Sequence, residues 1–268
     1  MSEPAAGSPP TVTVLSTTPV KGLQLHHPEQ IHLESSGAVG DRDFFLVDDR
    51  HRLVSITRCG GFVGWSASFD ADAGTLTFLS DAGETVSGEV SRGRPVVADF
   101  AGDHGVPGYF ADGPWDALLS DLAGQPLRLV KTSNPGEGSD AHPVTLMSEE
   151  SVAELARHAS VDQVDARRFR MTIQFRGVSA HAEDSWRRQH VRIGGSVLRV
   201  GGPVPRCAAV TRNPRTGEVD LRTLHVIKSY RGVQPNEFGD GLNFGVYAEV
   251  VTPGTVRVGD EVLVVPPG

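Results

Sequence analysis

Glycine and proline interrupt this chain at short intervals. Its 268 residues include 31 glycines and 18 prolines. Proline fixes φ and lacks a backbone donor, and glycine adopts conformations that other residues avoid, so both favour turns over long regular elements. These counts favour many short strands joined by turns over a helical bundle. The sequence therefore predicts a β-rich fold, with a 38% apolar fraction that is sufficient for a core.

Apolar runs of strand length recur along the chain. Those in the first half flank turn signals such as Ser80-Asp81-Ala82-Gly83 and indicate a small all-β unit. The predicted strands cover residues 11–17, 31–33, 44–47, 76–79, 84–90, 127–130, 144–147, 169–175, 191–193, 197–200, 246–251, 255–258 and 261–265.

Three segments favour helices instead. Residues 114–123 carry one apolar stripe and end before Gly124, a residue that suits the position just after a helix. Ser148 is the predicted N-cap of a second helix with an acidic first turn, and a third is expected near residues 222–230. The polar, glycine-rich residues 132–140 predict a loop that could close over a site.

The chain is acidic, with 25 Lys and Arg against 33 Asp and Glu residues and a net charge of −8. That balance opposes a nucleic-acid partner, because nucleic-acid binding needs a basic surface. It leaves room for an anionic ligand, since a pocket can be locally basic on an acidic protein.

Cysteine usage and the N-terminal residues bear on the compartment. Two cysteines give neither a disulfide framework nor a zinc or iron–sulfur spacing. No apolar run approaches the ~20 residues that span a membrane. The first ten residues lack the pattern of a secretory signal and are typical of a short disordered tail. We therefore expect no membrane partner and a reducing, cytoplasmic location.

One of the two cysteines has a chemically favourable setting. Cys207 lies in GGPVPRCAAVTRNPRTGEVD, at residues 201–220, where two prolines stiffen the approach. Arg206 places a cation beside the sulfur, which favours the thiolate that binds metals or attacks. The alternative is that Cys207 is a small buried hydrophobe, a common role of free cysteine. Cys59 also follows an arginine, but the two glycines after it favour a turn over a rigid site.

The segment PVPRCAAVTRNPRTGEVD resembles the cysteine motif of MOSC-domain proteins, the molybdenum cofactor sulfurase C-terminal family. Further segments resemble the same family in the same order, so the resemblance covers nearly the whole chain except its ends. They are TPVKGL (residues 18–23), GDRDFFLVDD (40–49), AHPVTLMSEESVAEL (141–155), RRFRMTI (167–173), AEDSW (182–186), RIGGSVLRV (192–200) and FGVYAEVVTPGTVRVGDEV (244–262).

The resemblance implies a β-rich α+β protein with two domains. A small N-terminal β-barrel-like domain, residues 8–112, would pack on a MOSC β-barrel domain with a few short helices, residues 113–268. Within the family, the chain is similar to the two-domain bacterial members and to the amidoxime-reducing branch.

The resemblance also implies a molybdenum cofactor of the molybdopterin type. Cys207 matches the family's metal-ligating cysteine, and a soft thiolate suits molybdenum, so Cys207 is the implied catalytic and metal-binding residue. Lys21 is implied to contact the cofactor's phosphate or pterin, beside Gly22, where relatives often have serine. Arg42 either pairs with Asp41 or Asp43 or holds an anion with its planar fork, and the resemblance favours the anion. The implied cofactor-binding set is completed by Asp140, Ala141, His142, Arg170 and Arg206.

The implied function is that of an oxidoreductase that reduces N-hydroxylated or N-oxide small molecules. Because the sequence has no iron–sulfur spacing, the electrons are expected from a separate reductase of the ferredoxin or flavin type. Two alternatives stay open. Cys207 could carry a persulfide in a sulfur-carrier or cofactor-binding module. A MOSC-fold enzyme with changed chemistry is the other, because Met171-Thr172 replaces the family's usual Pro-Asn and Thr172 lacks the amide's two-sided hydrogen-bonding pattern.

Overall fold

A computed structural model describes residues 9–100 and 104–266 of the chain, without the side chain of His104. Of the predicted N-terminal tail, only Pro9 and Pro10 are among the described residues. The first residue of the predicted N-terminal domain, Ser8, lies outside them.

Strands dominate the regular structure of the described residues. They are β1 (Thr11–Leu15), β2 (Gln30–Glu34), β3 (Gly37–Ala38), β4 (Phe44–Val47), β5 (Leu53–Val54), β6 (Trp65–Asp70), β7 (Thr75–Ser80), β8 (Thr85–Glu89), β9 (Ser91–Phe100), β10 (His104–Asp112), β11 (Arg128–Thr132), β12 (Val144–Ser148), β13 (Ile173–Arg176), β14 (His190–Ile193), β15 (Ser196–Pro205), β16 (Gln234–Asn236), β17 (Gly239–Gly241), β18 (Asn243–Thr252), β19 (Gly254–Arg257) and β20 (Val262–Val265). The α-helices are α1 (Asp116–Ala123), α2 (Glu149–Ala159) and α3 (Thr223–Arg231), and 3₁₀ turns cover Gly60–Gly64, Ala166–Phe169, Ala182–Trp186 and Ala208–Thr211.

Seven strands form a nearly closed barrel, in the order β1-β13-β12-β18-β15-β14-β20. Its two edges meet, because Val12 N donates to Asp260 O and Val262 N donates to Pro10 O, each at 2.8 Å. Buried apolar side chains from these strands, Leu146 among them, form one core cluster. The β-rich α+β class predicted from the sequence is confirmed.

A five-stranded sheet, in the order β5-β4-β11-β10-β9, is the second main sheet. Here β11, from the second half of the chain, pairs with β4 and β10 of the first half. Conversely, β1 pairs with β13, and β2 pairs with β19 of the second half. Strand pairing therefore crosses the predicted division between residues 112 and 113 in both directions. The division itself stays a prediction.

Helix α1 ends before Gly124 as its sequence predicts, but it begins at Asp116 rather than at residue 114. Helix α2 begins after Ser148, its predicted N-cap. Gly124 takes φ 64° directly after α1, a left-handed conformation that glycine adopts at low cost. At the start of α2, Ser148 Oγ accepts a hydrogen bond from Ser151 N at 3.2 Å. None of the helices in the described residues is long and apolar enough to cross a membrane.

Two segments differ from the sequence prediction. The sequence predicts one strand over residues 169–175, but a 3₁₀ turn ends at Phe169, and β13 begins only at Ile173. Arg170 takes φ 53° between them, and a left-handed residue breaks an extended strand. The long pair β9 and β10 has no clear signal in the sequence, because glycine, proline and charged residues interrupt both strands.

Candidate functional site

A cavity of about 700 Å³ lies between the two halves of the chain. One group of its lining residues comes from the loops around Lys21 and Arg42 and from residues 52–58. The other group comes from residues 139–145, 168–172 and 204–210. A volume of this size suits a cofactor or a drug-sized ligand.

The cavity brings together most of the residues singled out in the sequence. Ala141 is not among the described residues that line it, although the residues on both sides of it are. The roles of the individual side chains stay predictions. The eight predicted residues on the cavity wall are Lys21, Gly22, Arg42, Asp140, His142, Arg170, Arg206 and Cys207.

The loop that carries Lys21 is held against the loop that carries Arg42. Lys21 N donates to Phe44 O at 2.8 Å, and Arg42 N donates to Thr18 O at 2.6 Å. Val20, next to the lysine in the chain, is fully buried. Backbone pairing and an apolar anchor thus fix where the two basic side chains enter the cavity.

Gly22 follows the lysine with φ 97°, in the region that favours glycine. A Cβ on Gly22 would have room, since its nearest neighbour would be Ile56 N at 3.5 Å. A serine at this position would therefore be opposed by the backbone conformation and not by lack of space.

Lys21 is a buried cation, with 6% of the residue exposed. Its Nζ lies 2.7 Å from Asp140 Oδ1 and donates to Gly138 O at 2.8 Å, both in the loop predicted to close over a site. Burial lowers the pKa of Lys21, and Arg42 lowers it further, whereas Asp140 opposes both. The charge of Lys21 lowers the pKa of Asp140 to about 2, although the Asp140 side chain faces the open cavity. The Asp140 carboxylate thus stays ionised beside the lysine at neutral pH.

Arg42 and Arg170 both adopt left-handed backbone conformations, with φ 55° and 53°. Such conformations are uncommon for residues other than glycine and cost about 1–3 kcal/mol each, and they cluster at functional sites. Arg42 Nη2 donates to Arg170 O at 3.1 Å, which holds the two residues together. Arg42 also pairs with Asp41.

Arg170 is a partly buried cation without a carboxylate in direct contact among the described residues. Its Nη2 donates to Leu23 O at 2.7 Å, and no carboxylate of the described residues forms an ion pair with it. Burial, and then repulsion from Arg42, lower the pKa of Arg170 to about 10. An anion that entered the cavity would compensate this charge.

Cys207 presents an exposed thiol to the cavity. It sits at the N-cap of the 3₁₀ turn Ala208–Thr211, in an extended conformation. Its Sγ lies 3.7 Å from Thr57 Oγ1, which comes from the other half of the chain. The alternative of a small buried hydrophobe is therefore wrong for Cys207.

Arg206 supports the backbone around the thiol. Its Nε donates to Phe244 O at 2.8 Å, and Nη1 donates to Phe169 O at 3.0 Å. Nη2 also contacts Met171 Sδ at 2.8 Å. Burial lowers the pKa of Arg206 to about 10. Its hydrogen bonds tie β18 and the end of the 3₁₀ turn Ala166–Phe169 to the segment that carries Cys207.

A polar pair and an aromatic ring complete the cavity near β12. His142 Nε2 lies 2.9 Å from Glu237 Oε2, and its ring centroid is 4.9 Å from that of Tyr247. Thr172 N donates to Thr145 Oγ1 at 2.9 Å, and Thr145 N donates to Thr172 Oγ1 at 3.3 Å. The threonine at the position of the family's asparagine thus has a reciprocal partner in Thr145.

Comparisons with known proteins identify the second half of the chain. Residues 134–263 match the family model of the MOSC domain. The chain contains a MOSC domain. The resemblance that the motifs indicated is confirmed.

Matches to curated relatives cover from half to most of this chain. Mitochondrial amidoxime-reducing component 1 of Mus musculus is 37% identical over 138 residues, which are 50% of this chain and 40% of that protein. Molybdenum cofactor sulfurase of Caenorhabditis briggsae is 25% identical over 241 residues, which are 86% of this chain and 33% of that protein. The chain therefore spans less than half the length of these relatives. Among solved structures, the YUAD protein from Bacillus subtilis aligns over 95% of this chain and 94% of that chain, with 14% identity and a TM-score of 0.43.

The MOSC domain and the first half together make the cavity strongly basic. Of the described residues that line it, seven are Lys or Arg and two are Asp. The chain as a whole carries a net charge of −8. Four of these cations pair with Asp41, Asp48 or Asp220, which lie outside the cavity lining. The remaining positive charge, chiefly that of Arg170 and Arg206, favours anions in the cavity. No group of three or more His, Cys, Asp or Glu residues that could hold a metal ion is found in the described part of the chain.

Sequence reasoning missed several residues on the cavity wall. Arg52, Arg58 and Thr57 line it, yet they lie in a stretch without a recognised motif. Tyr247 and Phe238 also line it. Tyr247 lies within a segment matched to the MOSC family, so the inward-facing residues of β18 were a usable signal. The contribution of residues 52–58 depends on how the two halves meet, which no local pattern encodes.

Proposed function

We propose that this protein binds a molybdenum cofactor of the molybdopterin type and reduces N-hydroxylated or N-oxide compounds. One observation carries the proposal: an exposed thiol, Cys207, lines one basic cavity of about 700 Å³ together with the buried cation Lys21 and the partly buried cation Arg170. The MOSC match and the amidoxime-reducing relative support the same conclusion.

The residues present fit such a cofactor. A soft thiolate suits molybdenum, and buried guanidinium and ammonium groups suit a phosphate. The guanidinium of Arg170 in particular is partly buried and donates only to a carbonyl among the described residues, so it is better stabilised with an anion beside it. When bound, the cofactor supplies a two-electron redox centre.

The chain's own residues then have distinct tasks. Cys207 would be the protein's ligand to the metal, and Arg206 fixes its backbone through two carbonyl oxygens. Lys21 and Arg170 would hold the anionic end of the cofactor, with Asp140 keeping the ammonium oriented. His142 and Tyr247 would form the polar and aromatic wall toward the pterin or the substrate.

The reaction needs an external source of electrons. Removing the oxygen of an N-hydroxyl group as water consumes two electrons and two protons, so a separate reductase of the ferredoxin or flavin type is proposed as the donor. A reducing, cytoplasmic location agrees with a thiol that must stay reduced.

The test compares two hosts that differ only in their ability to make the cofactor. Protein from the competent host is expected to carry pterin, detected as its fluorescent oxidation product, and to reduce benzamidoxime with a reduced viologen dye. Protein from the host with blocked cofactor synthesis is expected to do neither. Protein from the competent host with neither pterin nor activity would refute the proposal.

A second candidate is a sulfur carrier that uses a persulfide on Cys207. It is favoured by the exposure of the thiol and by the sulfurase relative, which matches 86% of this chain. Incubation with a cysteine desulfurase and cysteine would then add the mass of one sulfur atom to the protein, and Cys207→Ala would prevent it. A MOSC-fold enzyme with changed chemistry remains the third candidate, favoured by Gly22 and by the Thr145–Thr172 pair.

A further inference from the structure

A second, smaller cavity adjoins the one described above. Its volume is about 310 Å³, and Ile56, Arg168, Arg170 and Ala209 line both cavities. Ala209 is two residues from Cys207, so the second cavity lies directly behind the turn that carries the thiol. None of the other residues that line it was predicted to bind the cofactor.

Five arginines line this second cavity, and three of them lack an ion-pair partner among the described residues. Arg167 pairs with Asp165, and Arg168 pairs with Asp220. The guanidinium groups without such a partner are those of Arg170, Arg212 and Arg215.

Backbone carbonyl oxygens, rather than carboxylates, hold the side chain of Arg212. Arg212 Nη1 donates to Gly217 O at 2.7 Å, and Nη2 donates to Thr57 O at 3.1 Å. Arg215 stands on a turn in which Asn213 Oδ1 accepts from Arg215 N at 2.8 Å. These contacts fix the side chain of Arg212 and the backbone of Arg215, and no carboxylate among the described residues pairs with either guanidinium.

The acidic groups nearby do not offset this charge. Asp81 is the one carboxylate among the described residues that line the second cavity, and its Oδ1 accepts a hydrogen bond from Gln24 Nε2 at 2.7 Å. Convergent guanidinium groups around a concave site bind oxyanions, because their planar forks match the oxygens of phosphate, sulfate or carboxylate.

We propose that the second cavity is a binding site for a small oxyanion, held by Arg212 and Arg215, the two unpaired arginines that line this cavity and not the cofactor cavity. The oxyanion is a phosphate, a sulfate or a carboxylate, either free in solution or carried on a substrate that reaches through from the larger cavity. This site goes beyond the proposed function and does not require a bound cofactor.

The test is a titration of the protein with inorganic phosphate at constant ionic strength, followed by NMR of the His27 ring, which lines the second cavity. Saturable shifts of the His27 resonances are expected. Arg215→Gln, which changes an exposed residue, is expected to weaken phosphate about fivefold. Arg222→Gln, an exposed arginine that lines neither cavity, is expected to leave the affinity unchanged.

Lys21→Gln separates the two cavities, because Lys21 lines only the larger one. This variant should retain the phosphate response of His27. A His27 response that does not saturate, that is equal in wild type and Arg215→Gln, or that disappears in Lys21→Gln would overturn the proposal.

A kinetic arm distinguishes the two sources of the oxyanion. If the group is carried on a substrate, Arg215→Gln should raise the KM for 4-carboxybenzamidoxime and leave that for benzamidoxime unchanged. If the oxyanion is free, both KM values stay the same while the phosphate response persists. Absence of reductase activity would refute the proposed function, and the phosphate titration would still decide this site.

Discussion

The two cysteines occupy the same local structure and opposite environments. Each follows an arginine and stands, in an extended conformation, at the N-cap of a 3₁₀ turn. The Cys59 thiol donates to Leu122 O at 3.1 Å and packs against the core of the first half. The Cys207 thiol is exposed in the large cavity.

Their neighbouring arginines differ in the same way. The side chain of Arg58 is 51% exposed, and its nearest carboxylate oxygen is 3.7 Å away on Asp48. The side chain of Arg206, in contrast, donates hydrogen bonds to two backbone oxygens of the MOSC domain, Phe244 O and Phe169 O. The motif Arg-Cys therefore does not decide what a thiol does. The surrounding packing determines the role of each thiol, because it leaves Cys207 exposed in a cavity and packs Cys59 against the core.

The largest expected contrast is in thiol reactivity. Cys207 should react with iodoacetamide at least about tenfold faster than Cys59 in the folded, cofactor-free protein, because accessible thiols react and packed ones do not. Peptide mass spectrometry at short reaction times measures both rates in one sample. Equal rates would mean that Cys59 is as accessible as Cys207, and the comparison would fail.

The next contrast concerns the charge in the large cavity. Lys21→Gln should reduce bound pterin about tenfold when the protein is made in a cofactor-competent host, because a charge-assisted contact to an anion is lost. Lys228→Gln, on the exposed face of α3, is the matched control and should carry as much pterin as wild type. Full pterin content in Lys21→Gln would remove Lys21 from the cofactor site.

The two arginines should differ in stability. Arg206→Gln should lower the free energy of unfolding by about 2 kcal/mol, since buried carbonyl oxygens lose charged donors. Arg58→Gln should stay within about 0.5 kcal/mol of wild type, as most surface substitutions do. Urea denaturation measures both. Similar losses in the two variants would contradict the structural role assigned to Arg206.

The smallest expected effect is a pH dependence at Glu183, which is fully buried and accepts hydrogen bonds from Ser148 and Ser151. Burial raises the pKa of Glu183 above its usual value. The folded state then holds this proton more tightly than the unfolded state, so stability from this group falls as pH rises from about 4.5.

Glu183→Gln removes that titration. Relative to wild type, the variant should therefore gain stability between pH 4.5 and pH 7.5, as measured by urea midpoints at both values. If the stability of the variant relative to wild type falls over this range, the ionised carboxylate is instead the form that the folded state stabilises better.

Much of the site followed from the sequence, because motifs in several segments matched one family in one order. The helix ends at Gly124 and Ser148 also followed, since capping chemistry is local. Local patterns could not predict which residues of the first half contact residues of the second half. Thr57 approaches Cys207, and Arg212 donates to Thr57 O, because strands of the first half of the chain pair with strands of the second half. The left-handed turn at Arg170 was missed for a related reason, since tertiary hydrogen bonds hold it.

The central claim is that Cys207, and not Cys59, supplies the thiolate for a molybdenum cofactor. The most direct measurement is the molybdenum-to-protein ratio of wild type, Cys59→Ala and Cys207→Ala purified from a cofactor-competent host. We predict near-stoichiometric molybdenum in wild type and Cys59→Ala, with almost none in Cys207→Ala. Molybdenum-free wild type, or equal metal in all three proteins, would contradict the account.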